Sequence, residues 1–142
     1  MTILDELKGK VKEAVDDQRV RLREISGFIY ENPELGSEEF KTAELLTGEL
    51  EGHGFEVERG ILGMPTAFTA TYKRKGTGPR VAVLAEYDCL PGVGHGCGHN
   101  LIAASAVGAG VAASRVMSAR APPEATEKYG GFAVEDMNEK QR

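Results

Sequence analysis

The sequence has no tryptophan and just two cysteines, Cys89 and Cys97, too few for a disulfide framework. Met1 to Asp17 is charged and amphipathic, with no apolar h-region of the kind a secretory leader needs. Both cysteines are therefore expected as thiols in a reducing compartment, the cytoplasm. No block of like charge is present, and a formal balance of −5, from 17 basic and 22 acidic residues, is not the electrostatic footprint of a nucleic-acid binder. Nor does any uncharged apolar run approach the roughly 18 residues of a membrane span, the longest candidate being residues 101–113. A dinucleotide fingerprint fails because, after Gly92 and Gly94, the third glycine position of G-x-G-x-x-G falls on Cys97. A phosphate loop fails for want of Gly-Lys-Ser/Thr. What is there is 142 residues, 41% hydrophobic and 27% charged, without internal repeats, enough for one soluble globular domain and not for two.

Apolar residues recur at Leu4, Leu7, Val11, Val15, Leu22, Ile25 and Ile29, a spacing that predicts one amphipathic helix over residues 3–31. Asp5, Lys8, Lys12, Asp16, Arg19 and Arg23 form its solvated face. Pro33 and Gly36 turn the chain, and Ser37 is expected to cap a second helix with Glu38 and Glu39 at its positive end. Phe40, Ala43, Leu46 and Leu50 would be the buried stripe of that helix, and Gly52 and Gly54, around His53, would stop it. Residues 55–61 and 66–73 alternate as two strands, and residues 80–88, centred on Val81-Ala82-Val83-Leu84-Ala85, read as a short strand buried on both faces. Residues 101–117, rich in alanine, leucine, isoleucine and valine, read as a buried helix. Beyond Ser118 the chain turns polar, and residues 118–142 read as a loosely ordered tail.

This order of elements predicts an α/β layer structure, in which ligands collect beyond the carboxyl ends of strands. The segment in that place, residues 86–100, holds both cysteines and two of the three histidines. Glycines at 92, 94, 96 and 98 alternate with Val93, His95, Cys97 and His99, so an extended chain would set those four side chains on one face. Thiolate and neutral imidazole are good zinc ligands, and Glu86 and Asp88 could add a carboxylate or hold a histidine in the right tautomer. Plainer readings stand beside these. Cys97 and His99 could be a small buried thiol and a hydrogen-bonded histidine, and His95 a loop residue. Cys89 reads as packing, His53 as a helix-dipole partner, and Glu38 and Glu39 as features of a helix start. Clustering favours ligation, although a catalytic zinc takes three protein ligands and Cys97 with His99 supply two. A Cys97 nucleophile with His99 as base fits less well, because residues two apart in extended chain lie parallel rather than facing across a substrate.

On AEYDCLPGVGHGCGHN (residues 85–100) and on Asn32-Pro33-Glu34-Leu35-Gly36 followed by Glu38-Glu39-Phe40, the sequence resembles a known family. That family is the amidohydrolase branch of the aminoacylase and metallocarboxypeptidase group of dinuclear zinc exopeptidases, Xaa-Arg dipeptidase-like and indoleacetyl-amino-acid hydrolase-like proteins included. The likeness covers roughly residues 18–113. It implies the N-terminal portion of a three-layer α/β catalytic domain over residues 1–117, helices packed on a partial mixed sheet, followed by a polar tail. It implies Cys97 and His99 as metal ligands, Glu86 and His95 as further candidates, and Asp88 as the orienting acid. Zinc is the implied metal, with manganese or cobalt as alternatives, and dipeptides or N-acyl amino acids are the implied substrates. Such enzymes activate a metal-bound water with a glutamate from a downstream P-A-E-E-like motif. Here no Glu-Glu pair and no histidine follow the loop, and no lid or dimerisation domain is encoded, although family members are often homodimers. Residues 122–131 echo the downstream motif faintly and make Glu124 or Glu127 the candidate base. The expectation is a shortened metal-dependent amide hydrolase, through truncation, splicing or an altered gene model. The alternative is a catalytically silent binding or regulatory fragment that keeps half a metal site.

Overall fold

A computed structural model describes residues 2–74 and 79–119. In chain order the elements are α1 (Ile3–Asp16), α2 (Arg19–Glu31), α3 (Phe40–Gly52), β1 (Glu56–Arg59), a 3₁₀ turn (Ile61–Gly63), β2 (Phe68–Thr71) and α4 (His99–Ala119). The tail residues, Glu124 and Glu127 among them, lie outside the described residues.

The helix expected over residues 3–31 is two helices. Between Val15 and Leu22 the apolar stripe misses a turn, because Asp16, Asp17, Gln18 and Arg19 fill the positions where a continuous helix would need an apolar contact. The chain breaks there, and the buried Gln18 amide donates to the Ala14 carbonyl at 2.7 Å and to the Gly108 carbonyl of α4 at 3.5 Å. At its other end α1 carries a capping box. Asp5 N–H donates to Thr2 Oγ1 at 3.2 Å and Thr2 N–H returns a bond to Asp5 Oδ2 at 2.8 Å. The Thr2 hydroxyl and N–H hold the Asp5 carboxyl below its usual range.

Ser37 does not cap α3. It sits in the left-handed region at φ 72° within the preceding turn, so its hydroxyl is turned from the helix axis. Glu34 replaces it from outside the helix, its carboxylate accepting the Lys41 and Thr42 N–H groups at 2.9 Å each. The buried face of α3 is Thr42, Leu46, Thr47 and Leu50, whereas Phe40 is 58% exposed. Arg21 of α2 ties to α3 through Glu49 at 2.7 Å, which also lies 3.2 Å from His53 at the helix end. The glycines past α3 act as expected, with Gly54 at φ 83°.

β1 and β2 pair antiparallel, Glu56 opposite Thr71 and Arg59 opposite Phe68. The sheet among the described residues is thus antiparallel rather than mixed, and helices on this small sheet are compatible with part of an α/β domain. The strand expected over residues 80–88 is not formed. Its residues carry no ladder among the described residues, and Val83 and Leu84 are 55% and 82% exposed. An apolar run becomes a doubly buried strand only where neighbouring strands and covering layers exist.

The core is a helix-dominated cluster of Ile25 and Ile29 from α2, Leu46 and Leu50 from α3, and Ala103, Ala104, Val107 and Val111 from α4. The sheet adds Val57, Phe68 and Ala70. Ala14 of α1 meets Ala112 and Val116 further along α4. By length and composition the 21 residues of α4 could cross a membrane. The helix packs against α1, α2 and α3, with 39% of its apolar window buried.

Candidate metal-binding half-site

The loop expected to be extended is a run of turns. Gly92, Gly94 and Gly98 take φ of 71°, 69° and 77°, conformations that glycine adopts without a Cβ clash. Leu90 N–H donates to the Gly94 carbonyl and Gly94 N–H to that of Leu90, at 3.0 Å each. Gly98 N–H donates to the His95 carbonyl at 3.0 Å, and Gly98 then hands the chain into α4. The four side chains therefore do not share one face. Val93 and Cys97 are exposed, His95 is buried, and His99 is the first residue of α4.

What the structure brings together is Glu86, Asp88 and His99. His99 Nδ1 lies 2.7 Å from Asp88 Oδ1 and 3.0 Å from the Asp88 carbonyl oxygen. Both are acceptors, so Nδ1 carries the proton and donates to Asp88. His99 Nε2 lies 3.3 Å from Glu86 Oε2. With the proton on Nδ1, the Nε2 lone pair of a neutral imidazole faces the Glu86 carboxylate. The spacing suits a shared metal, since two ligands about 2.0–2.1 Å from a tetrahedral zinc stand about 3.3 Å apart. Asp88 bonded to the far nitrogen completes the carboxylate–histidine arrangement that orients metal-bound imidazoles. The residues present thus fit two corners of a zinc site.

A third corner is not assembled. Among the described residues no cluster of three metal-ligating side chains converges, so neither Cys97 nor His95 joins His99 and Glu86 in one shell. His95 is 9% exposed and both its ring nitrogens lack a hydrogen-bond partner among the described residues. Cys89 is buried as packing, and its N–H donates to the Glu34 carbonyl at 2.8 Å. A groove of about 530 Å³ runs between α2 and α4, lined by Arg19, Arg23, Ser26 and Asn100, but it contains none of Glu86, Asp88 or His99.

Three residues hold this site in roles that were not read from sequence. Glu34 caps α3 with its carboxylate and takes Cys89 on its carbonyl, which fixes the chain just after Asp88. Glu39, read as part of a helix start, does stand at the N-cap position of α3, and its buried carboxylate accepts the Thr66 hydroxyl at 2.6 Å. Asn100 is buried and its amide donates to Ser26 Oγ at 3.0 Å, pinning the start of α4 to α2. An aspartate at that position could not donate to Ser26.

No protein-family model matches the chain. Comparison with curated proteins nonetheless defines its class, because the chain is homologous to peptidases and amidohydrolases over much of its length. It is 38% identical over 143 aligned residues to the Xaa-Arg dipeptidase of Mus musculus, an alignment covering 94% of this chain and 33% of the relative. It is 35% identical over 130 residues to a component of the p-aminobenzoyl-glutamate hydrolase of Escherichia coli K12, covering 79% and 26% of the two chains. Thermostable carboxypeptidase 2 of Saccharolobus solfataricus is 34% identical over 122 residues, covering 76% and 30%. The chain thus spans a quarter to a third of the length of these relatives.

Proposed function

We propose that this chain carries half of the metal centre of an amide-bond hydrolase whose substrates are dipeptides or N-acyl amino acids. The observation that carries the reading is the His99 imidazole, held by Asp88 on one nitrogen and set against Glu86 on the other. His99 and Glu86 would hold the metal, and Cys97, exposed on the neighbouring loop and outside that pair's shell as the loop stands, would have to turn inward to become the third donor. A thiolate–imidazole–carboxylate set favours zinc over manganese, with cobalt as a second choice. Bound zinc would polarise a substrate carbonyl and acidify a water. Asp88 keeps the His99 proton on Nδ1 and the ring in one orientation, so that Nε2 stays basic towards the metal. The relatives' names, dipeptidase, carboxypeptidase and hydrolase of aminobenzoyl-glutamate, support the substrate class. The candidate bases Glu124 and Glu127 fall outside the described residues, and a missing base costs roughly 10²–10⁴-fold in rate.

Two donors in place favour the second reading for the isolated chain, metal binding with no more than trace turnover. Zinc titration against a chromophoric chelator tests both. Cys97→Ser should weaken binding and His99→Ala should remove it, while Asp88→Asn should weaken it about 10- to 100-fold. Unchanged affinity in the Cys97→Ser/His99→Ala double variant would refute the site. Robust zinc-dependent dipeptide hydrolysis by the 142-residue chain, lost in Glu124→Gln or Glu127→Gln, would show that the tail supplies the base and that the second reading is wrong.

A further inference from the structure

Residues 81–88 carry the two carboxylates of the candidate site, yet no sheet ladder holds them among the described residues. The Cys89 N–H on the Glu34 carbonyl fixes the chain just after Asp88, and a second tie is needed on the Glu86 side, because a carboxylate on a segment held at one end would not keep its distance from an imidazole at the head of a helix. Tyr87 stands between them in sequence, and in extended chain its side chain points opposite to theirs, away from His99. The Tyr87 hydroxyl donates to the Thr66 carbonyl, and its ring lies 5.9 Å from that of Phe68 in β2, nearly stacked. Thr66 is itself fixed, since its hydroxyl donates at 2.6 Å to the buried carboxylate of Glu39 beside the first turn of α3. A continuous path of hydrogen bonds therefore runs from α3, through the turn before β2, to the backbone on which Glu86 and Asp88 stand.

We propose that Tyr87 is a positioning residue for this site: its hydroxyl, anchored through Thr66 to the buried Glu39, sets Glu86 and Asp88 at ligating distance from His99 in place of the missing ladder. The proposal rests on the reading of Glu86, Asp88 and His99 as the metal-facing group. Its chemistry is that of a neutral phenol used as a donor. The ring alone would not suffice. Stacking on Phe68 leaves a side chain free to slide along its plane, whereas a hydrogen bond to a carbonyl fixes the end of the phenol in direction as well as distance.

The test is zinc affinity in the full chain at a temperature where circular dichroism shows every variant fully folded. Tyr87→Phe removes the hydroxyl and keeps the ring on Phe68. The control is Tyr72→Phe, which removes another tyrosine hydroxyl bond, that to Ser118, at the far end of α4 from His99. Tyr87→Phe should weaken zinc binding about tenfold while Tyr72→Phe leaves it within about twofold, the size of effect expected when a ligand's support is removed. Glu39→Gln, which keeps an acceptor for Thr66, should stay near the wild-type affinity and Glu39→Ala should not. Equal affinities in the two tyrosine variants would overturn the positioning role, and so would loss of affinity in Glu39→Gln equal to that in Glu39→Ala. His99→Ala binding zinc as well as wild type would instead sink the underlying site reading, an outcome distinct from either.

Discussion

Tyr87 also gives the site a signature in alkali. Its hydroxyl is raised from 10.0 to about 12, first by burial and then by the Glu39 charge, so the folded chain holds that proton more tightly than the unfolded chain. The stability it contributes is complete below pH 10 and is lost as pH rises from 10 to 12. Spectrophotometric titration should show a phenol ionising near pH 12 that is missing from Tyr87→Phe, and melting temperature should fall more steeply across that window in the wild type than in Tyr87→Phe. A tyrosine titration with no late component would contradict the placement of Tyr87. Cys97 and His99, with Glu86, His95 and Asp88, stood out as candidates in the sequence because clustered ligand chemistry in a glycine-rich loop is visible without a fold. Their geometry did not. Alternating glycines argued for extended chain, but glycine permits positive φ as readily as extension, and three of the four took it. Glu34 and Glu39 were hidden for another reason: both lie where a helix is about to begin, and nothing local tells a carboxylate that caps from one that is buried 27 residues from its partner.

Segment by segment, the helices were clearest where one apolar stripe faced one core, as in α4, expected over residues 101–117 and found at His99–Ala119. Boundaries set by tertiary contact were not foreseen. The break between α1 and α2 follows from Gln18 docking on the Gly108 carbonyl, a contact spanning 90 residues. Gly108 of α4 lies under Leu22 of α2, where an added Cβ would stand 2.7 Å from Leu22 Cδ1. Gly108→Val should therefore destabilise the chain by about 1–3 kcal/mol through overpacking. Gly108→Ala should cost far less, because a terminal Leu22 methyl can rotate away and alanine gains about 1 kcal/mol of helix propensity over glycine. Urea midpoints of the two variants decide it, and a valine as mild as the alanine would mean that the helices separate freely. The two-strand hairpin was expected as two strands, whereas residues 80–88 failed as a third because burial on both faces is a property of neighbours, not of the segment.

The described residues combine a small helix-dominated core with an uncovered apolar segment. Val81, Val83 and Leu84 are exposed in one run, and Leu101 and Ile102 are exposed at the head of α4. Exposed unpaired chain of this composition is a template for association. Sedimentation should show concentration-dependent self-association that Val83→Lys/Leu84→Lys suppresses without lowering the melting temperature, and a monomer at all concentrations would refute the exposed segment. Homology to amide hydrolases was legible in the loop motif, whereas the architecture around it depends on contacts that a quarter to a third of a relative's length need not contain. The two thiols give this molecule an internal chemical reporter. Cys97 is open to solvent, while Cys89 is closed in and has its amide tied to Glu34. A brief pulse of alkylating reagent would thus label Cys97 at once and Cys89 only in molecules whose loop has come away from α3. The ratio of singly to doubly labelled chains by mass would count opening events, and the same spectrum, taken with added zinc, would test whether Cys97 joins the proposed site.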